Sequence, residues 1–257
     1  MSTDLLRRAL MLREMELTPQ WHLRQPLPAA AAVPAGSSQA PSTATVAPMA
    51  SPTATAQERR SLIMQMDWPQ IKSCVASCTA CALHVGRNRT VFGVGDENAD
   101  WLFVGEGPGA DEDLQGEPFV GQAGKLLDNM LAAIQLKRGS NVYIANVVKC
   151  RPPGNRNPEA EEVLACEPFL HRQIDLIKPK LIVALGKVAA VNLLARQESV
   201  ASLRNKIHHY RGIPLIVTYH PAYLLRSLQE KARAWEDLCF AMDTLQRAIA
   251  SDSHQRE

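Results

Sequence analysis

The chain has 257 residues, 46% of them hydrophobic, enough for a substantial core and for one large or two small domains. Its formal charge of +2 and pI near 8.2 are too mild to mark a nucleic-acid binder, so such a role has to rest on where individual Lys and Arg residues fall. Arg7, Arg8, Arg13, Glu14 and Glu16 interrupt the apolar N-terminus, which is not the run of a secretory signal, and no later segment is long and apolar enough to cross a bilayer. A cytoplasmic location is expected, where the six cysteines are ligands, reactive groups or buried thiols rather than disulfides.

Residues 4–15 form a candidate short helix with Leu5, Leu6, Leu12 and Met15 partly on one face, suited to docking on a protein partner or on its own domain. Residues 25–57 carry no charged side chain and are rich in Ala, Pro, Ser and Thr, which predicts a disordered linker between the 1–24 segment and a domain starting at 58. Within 58–250, apolar runs at 101–104, 142–147, 181–185 and 214–217 alternate with helical stretches at 124–134, 158–177, 187–194 and 231–249; a flexible tail, 251–257, follows. Strand alternating with helix predicts a parallel sheet covered on both faces, and the unbroken run Leu181-Ile182-Val183-Ala184-Leu185 suits a strand buried on both sides. The expected fold is α/β, a three-layer α/β/α sandwich.

In such folds chemistry gathers outside the carboxyl ends of the strands. Those ends lead here into Gly105-Glu106, Asn146, Gly186-Lys187 and Tyr219-His220, so a carboxylate, an amide, a cation and an imidazole are expected to converge on one crevice.

Cys78-Thr79-Ala80-Cys81 is a close thiol pair, while Cys150 and Cys166 flank a loop carrying Arg151 and Arg156. Thiolates in this pattern, with no nearby histidine, suit either zinc or an iron–sulfur cluster, and the wide second spacing leans toward the cluster. Cys74 competes for a ligand position, whereas Cys239 reads as a small buried hydrophobe. Such a centre ties the two segments together and sets Arg151 and Arg156 to meet phosphates.

Four segments stand in order: Gly105-Glu106-Gly107-Pro108-Gly109-Ala110-Asp111-Glu112-Asp113, Gly116-Glu117-Pro118-Phe119-Val120-Gly121, Asn146-Val147-Val148-Lys149-Cys150-Arg151-Pro152-Pro153 and His220-Pro221-Ala222-Tyr223-Leu224-Leu225-Arg226. With the cysteines, they resemble the family 4 uracil-DNA glycosylases, the iron–sulfur members of the uracil-DNA glycosylase superfamily, over roughly residues 74–242. The resemblance implies a central four-stranded parallel sheet and hydrolysis of the bond between uracil and deoxyribose, leaving an abasic site that starts base-excision repair. It also implies uracil-containing DNA as partner and a [4Fe–4S] cluster on Cys78, Cys81, Cys150 and Cys166. Phe119 would stack on the uracil, Asn146 would read its polar edge and His220 would stabilise the departing base. A monomer that binds no membrane is expected.

Departure of uracil places negative charge on the base and oxocarbenium character on the sugar. His220 can donate to uracil O2 as a neutral imidazole, and the glycines of Gly105-Glu106-Gly107 let backbone N–H groups approach closely. Asn146 matches N3–H and O4 of uracil and mispairs with cytosine. Leu224 is the expected wedge for the emptied stack, Arg226 a phosphate contact, and Arg151, Arg204, Lys187 and Lys206 further backbone contacts.

The best-known uracil glycosylases have an aspartate two places after the first glycine of this motif, where the chain has Gly107. The carboxylates are therefore sought in Glu106, for charge stabilisation, and Glu112, for shaping the pocket, with Asp111 and Asp113 as alternatives. Leu203-Arg204-Asn205-Lys206-Ile207-His208-His209 is similar to a loop in which a related group traps the sugar covalently on histidine; its basic residues and Gly107 differ, so ordinary turnover is expected. The rival is a non-catalytic or covalently trapping uracil-DNA-binding protein of the same fold.

Overall fold

The computed structural model describes residues 52–254, which fall within one compact unit running from Ala50. The candidate helix at 4–15 and most of the expected linker lie outside the described residues. The end of that linker is corrected, because α1 (Pro52–Ile63) is helical from Pro52. Its anchors lie farther along: Arg59 Nη1 donates to Ala165 O (2.8 Å), Arg60 pairs with Glu167 (2.7 Å) and Ile63 is buried. Tertiary contacts thus draw an Ala- and Thr-rich turn into helix.

The sheet has six strands: β1 (Val94–Gly95), β2 (Trp101–Gly105), β3 (Val142–Asn146), β4 (Leu181–Leu185), β5 (His208–Tyr210) and β6 (Ile213–Thr218). Their order is β1-β3-β2-β4-β6-β5. The central four, β3-β2-β4-β6, are mutually parallel as expected, and antiparallel β1 and β5 are added at the edges. Neither edge strand carries an apolar run, since β1 is a Val-Gly pair and β5 is His-His-Tyr, so each owes its conformation to its neighbour.

Alternate residues of the buried strands feed two cores. Leu102, Val104, Ala145, Ile182, Ala184, Leu215 and Val217 pack with α2 (Trp68–Ala76), α6 (Ala160–Ile177) and α7 (Gly186–Leu194). Phe103, Ile144, Leu181, Val183, Leu185 and Ile216 pack with α5 (Gln122–Ala133) and α10 (Lys231–His254). Helices on both faces make the three-layer α/β/α sandwich. Each large aliphatic buried this way is worth about 1.5–3 kcal/mol, which sets the parallel edge firmly enough to carry a site.

Short helices complete the chain: α3 (Leu83–Gly86), α4 (Ala110–Gln115), α8 (Val200–Leu203) and α9 (Pro221–Arg226). A buried ion pair locks α10 to β6. Asp237, fully buried, accepts from Thr218 Oγ1 (2.8 Å) and Arg204 Nε (3.1 Å). The guanidinium also donates to Arg233 O (2.6 Å) and pairs with Glu236 (3.1 Å). The expectation that Arg204 meets DNA is thereby corrected, because its donors already hold the C-terminal helix in place. Removing one member of a buried pair strands the other charge. Asp237→Ala is expected to lower unfolding free energy by about 3–5 kcal/mol in a urea titration, whereas an exposed pair such as Lys72 with Glu97 contributes below about 1 kcal/mol.

Candidate active site and thiol cavity

A cavity of about 410 Å³ opens where the carboxyl ends of β2, β3 and β6 meet, lined among others by Glu106, Phe119, Asn146, Tyr223, His220 and Arg226. His220 follows β6 and caps α9: its Nδ1 accepts from Ala222 N (3.1 Å). That bond fixes the tautomer, leaving the proton on Nε2. Burial, reinforced by Arg226 and opposed by Glu112, pushes the imidazole down to about 4, so it is a neutral donor.

Asn146 is the last residue of β3 and pairs in register with Gly105 of β2. Its side-chain Oδ1 is buried without a hydrogen-bond partner among the described residues. A buried acceptor left unpaired costs about 1–3 kcal/mol, which a ligand N–H at this position would recover. Gly105 is required beside it, since a Cβ there would stand 2.5 Å from Oδ1 and 2.6 Å from the Phe119 ring.

Phe119 lies against His220 with ring centroids 5.5 Å apart and planes 30° from parallel. It adopts φ +56°, a left-handed conformation that needs outside support. Arg138 supplies it, donating to Pro118 O (2.8 Å) and Phe119 O (2.8 Å) while held by Asp128 (2.9 Å). Gly124 closes the cradle, because a Cβ there would stand 1.8 Å from Phe119 O.

The acidic motif divides by role. Glu112 accepts N–H groups from Gly109 (3.1 Å), Val120 (2.9 Å) and Gly121 (3.2 Å), tying the two glycine-containing loops together. Asp113 is fully buried and accepts from Asn88 N (2.9 Å) and Asn88 Nδ2 (2.5 Å). Asp111 is exposed. The Glu106 carboxylate lines the cavity with no hydrogen bond or ion pair among the described residues, and burial raises its pKa.

Leu224 is not a free wedge. It is 1% exposed, packed with Tyr219 and Ala234, because Pro221 and Leu224 share the inner face of α9. Tyr223 and Leu225 are the exposed apolar residues of that helix. Arg226 is exposed and lines the cavity, whereas Arg151 does not line it but donates to Asn155 Oδ1 (2.6 Å), a residue that does. Lys187 is exposed, and Lys206 is spent on Ser202 O (2.8 Å). His208 and His209 belong to edge strand β5 and line none of this cavity. Arg138, Asn155 and Tyr223 were not singled out by the sequence; only Tyr223, inside the histidine motif, carried a local signal, whereas Arg156, expected at phosphates, lines the cavity and pairs with Glu162 (2.6 Å).

Cys78, Cys81, Cys150 and Cys166 line a second, smaller cavity with Val75 and Phe169. N–H donors point at the sulfurs: Arg87 Nη1 to Cys150 (3.2 Å), Arg59 Nη2 to Cys78 (3.5 Å) and Lys149 N to Cys166 (3.2 Å). Burial pushes the Cys166 thiol up to about 12, against the opposing pull of Lys149. As placed, no group of three or more His, Cys, Asp or Glu side chains among the described residues could hold a metal ion. Cys74 packs on the same core without lining this cavity, and Cys239 sits in α10.

A family model described as the uracil DNA glycosylase superfamily matches residues 92–239, which hold the whole sheet and every residue named at the larger cavity. The fold is that of the superfamily. The chain is 47% identical over 159 residues to a type-4 uracil-DNA glycosylase of Archaeoglobus fulgidus, covering 59% of this chain and 79% of the relative. Identity to the Thermotoga maritima type-4 enzyme is 47% over 161 residues, covering 62% of this chain and 83% of the relative. The Pyrobaculum aerophilum type-4 enzyme is 41% identical over 181 residues, covering 67% and 92%. The chain belongs to the type-4 uracil-DNA glycosylase family.

The cavity geometry makes a titration prediction. The His220 ring ¹⁵N shifts are expected to report the Nε2–H tautomer and a midpoint near 4; a midpoint at the ordinary 6.5 would contradict the burial argument.

Proposed function

We propose that the chain is a DNA repair glycosylase that flips uracil out of DNA and hydrolyses its N-glycosidic bond, acting in the cytoplasm at the start of base-excision repair. The single observation that carries the reading is the buried, partnerless Asn146 Oδ1 in the same cavity as a neutral His220 whose donor is Nε2–H. Uracil offers what both lack: N3–H for the amide oxygen and O2 for the imidazole. Cytosine presents an unprotonated N3 and would leave Oδ1 unpaired, so discrimination follows from desolvation cost.

The base enters at an unstacking cost of a few kcal/mol and stacks on Phe119, a contact worth about 1–3 kcal/mol. As the bond lengthens, charge grows on O2 and His220 Nε2–H strengthens its bond to it. The Glu106 carboxylate, which has no other hydrogen bond or ion pair among the described residues, holds negative charge toward the sugar cation, and water attacks as the bond breaks. Tyr223 and Leu225 face the emptied stack, with Arg226 and Arg151 on phosphates.

The cysteines fit an iron–sulfur cluster. Four sulfurs line one apolar cavity, and cationic and backbone N–H groups already point at three of them. Cys78, Cys81, Cys150 and Cys166 would hold a [4Fe–4S] cluster, whose irons supply the positive charge that buried thiolates need. Its role is structural, joining the α2–α3 loop to β3 and α6.

The direct test is a duplex with one U·G pair, treated with the full chain and then with alkali. Strand scission at uracil is expected, and Asn146→Ala is expected to slow single-turnover cleavage by about 100-fold or more. A chain that binds the duplex and yields no fragment would support a binder instead. Because burial raises Glu106 and its charged form is the useful one, the rate is expected to fall as pH drops through a value above the ordinary 4.5. Glu106→Gln is expected to be slow and to lose that step. Protein purified without oxygen is expected to contain iron and labile sulfide in equal amounts; zinc without sulfide would contradict the cluster.

A further inference from the structure

Between the two cavities lies Lys149, 1% exposed and fully enclosed by the core. Its Nζ donates to Asn146 O (2.9 Å) and to Gln173 Oε1 (2.6 Å), and its backbone N–H donates to Cys166 Sγ (3.2 Å). Gln173, fully buried in α6, is fixed in turn by Phe92 O (2.9 Å) and Tyr143 Oη (3.4 Å) through its own amide N–H groups. Lys149 makes no ion pair among the described residues, so its side-chain acceptors are both neutral.

A buried ammonium whose hydrogen-bond acceptors are both neutral, favoured only at a distance by the Cys166 and Cys150 sulfurs, is a costly way to satisfy a strand-end carbonyl. A serine or a water could do that at less cost. What the long, stiffly held side chain adds is control of position. β3 ends at Asn146, its last rung on β2 being the Gly105 pairing, and Val147 N continues to Gly105 O (3.0 Å). The Asn146 carbonyl is thus gripped by an ammonium that is itself anchored on Gln173 of α6, while the Lys149 backbone N–H abuts the Cys166 thiol. Backbone rotation at Asn146 would swing the carboxamide with it.

We infer that Lys149 is a positioning residue for base recognition: its bonds to Asn146 O and Gln173 Oε1 fix the strand end so that the Asn146 carboxamide meets the polar edge of the base. The inference rests on the proposed uracil-reading role of Asn146 and extends it to a residue that touches neither base nor DNA. A displacement of about 1 Å at a recognition group costs up to about 100-fold in rate. The loss falls on the chemical step and on uracil-over-cytosine discrimination, because both depend on where Oδ1 lies.

Three full-chain variants decide it: Lys149→Met, Gln173→Met and the double variant. Lys149→Met leaves Asn146 O and Gln173 Oε1 unpaired, whereas the double variant also removes the stranded Gln173 amide and should recover part of the stability, with Asn146 O and Phe92 O left without these donors. Melting temperature, visible absorption, binding to a duplex with an abasic-site analogue, and single-turnover release of uracil and cytosine are compared. The expected result for Lys149→Met is uracil release slowed about 10- to 100-fold, a reduced uracil-to-cytosine ratio and unchanged affinity for the abasic duplex, which offers no base to read. In the double variant, melting temperature recovers in part and cleavage does not. Cleavage that recovers in step with melting temperature, or a wild-type rate in Lys149→Met, overturns the inference. Should Lys149→Met fail to fold, Gln173→Met decides: a slowed rate and altered ratio with unchanged visible absorption support the inference, and wild-type values overturn it. A wild-type chain that releases no uracil, or an Asn146→Ala chain that releases it normally, overturns the underlying reading as well, which separates the two failures.

Discussion

An amide oxygen held in the protein interior with no donor among the described residues is the constraint on which the site depends. Folding tolerates one such debt where the surroundings over-determine the group, and the surroundings of Asn146 do so. Its backbone sits in the parallel ladder opposite Gly105, its carbonyl is taken by Lys149, and the Phe119 ring covers the same glycine. The left-handed backbone at Phe119 is a second strained element, supported by Arg138 and by the absence of a side chain at Gly124. Two costs at one cavity, each with its own support, describe a binding site prepared before the ligand arrives.

Charge within the cavity follows from burial as much as from residue type. The same desolvation that keeps His220 neutral raises Glu106, so the carboxylate is the group that responds to mild acid. Glu112 differs from Glu106 only in its partners. Three backbone N–H groups occupy it, making it a clasp between loops, and Glu106 is left facing the cavity with none. The motif that lacks an aspartate at Gly107 therefore still presents one unpaired acid, one place earlier.

The central strands and long helices were legible because burial on both faces writes unbroken apolar runs and 3.6-residue periodicity into the sequence. So were Asn146 and His220, which follow such runs directly. Edge strands β1 and β5 were not, since their pairing comes from neighbours and not from their own residues. Leu224 and Arg204 were misplaced for a related reason. Position in a motif does not tell which face of a short helix turns inward, nor that a distant Asp237 is waiting for a guanidinium. Arg138 and Lys149 act on backbone carbonyls, contacts that any sequence can offer and no pattern announces.

The central claim is that Asn146 Oδ1 and His220 Nε2 bind opposite parts of one everted uracil. A crystal structure with a duplex carrying a cleavage-resistant 2′-fluoro-deoxyuridine tests it most directly. The account predicts the base on Phe119, its N3–H at Asn146 Oδ1 and its O2 at His220 Nε2. A base seated elsewhere, or one that enters this cavity and leaves Oδ1 unpaired, would contradict it.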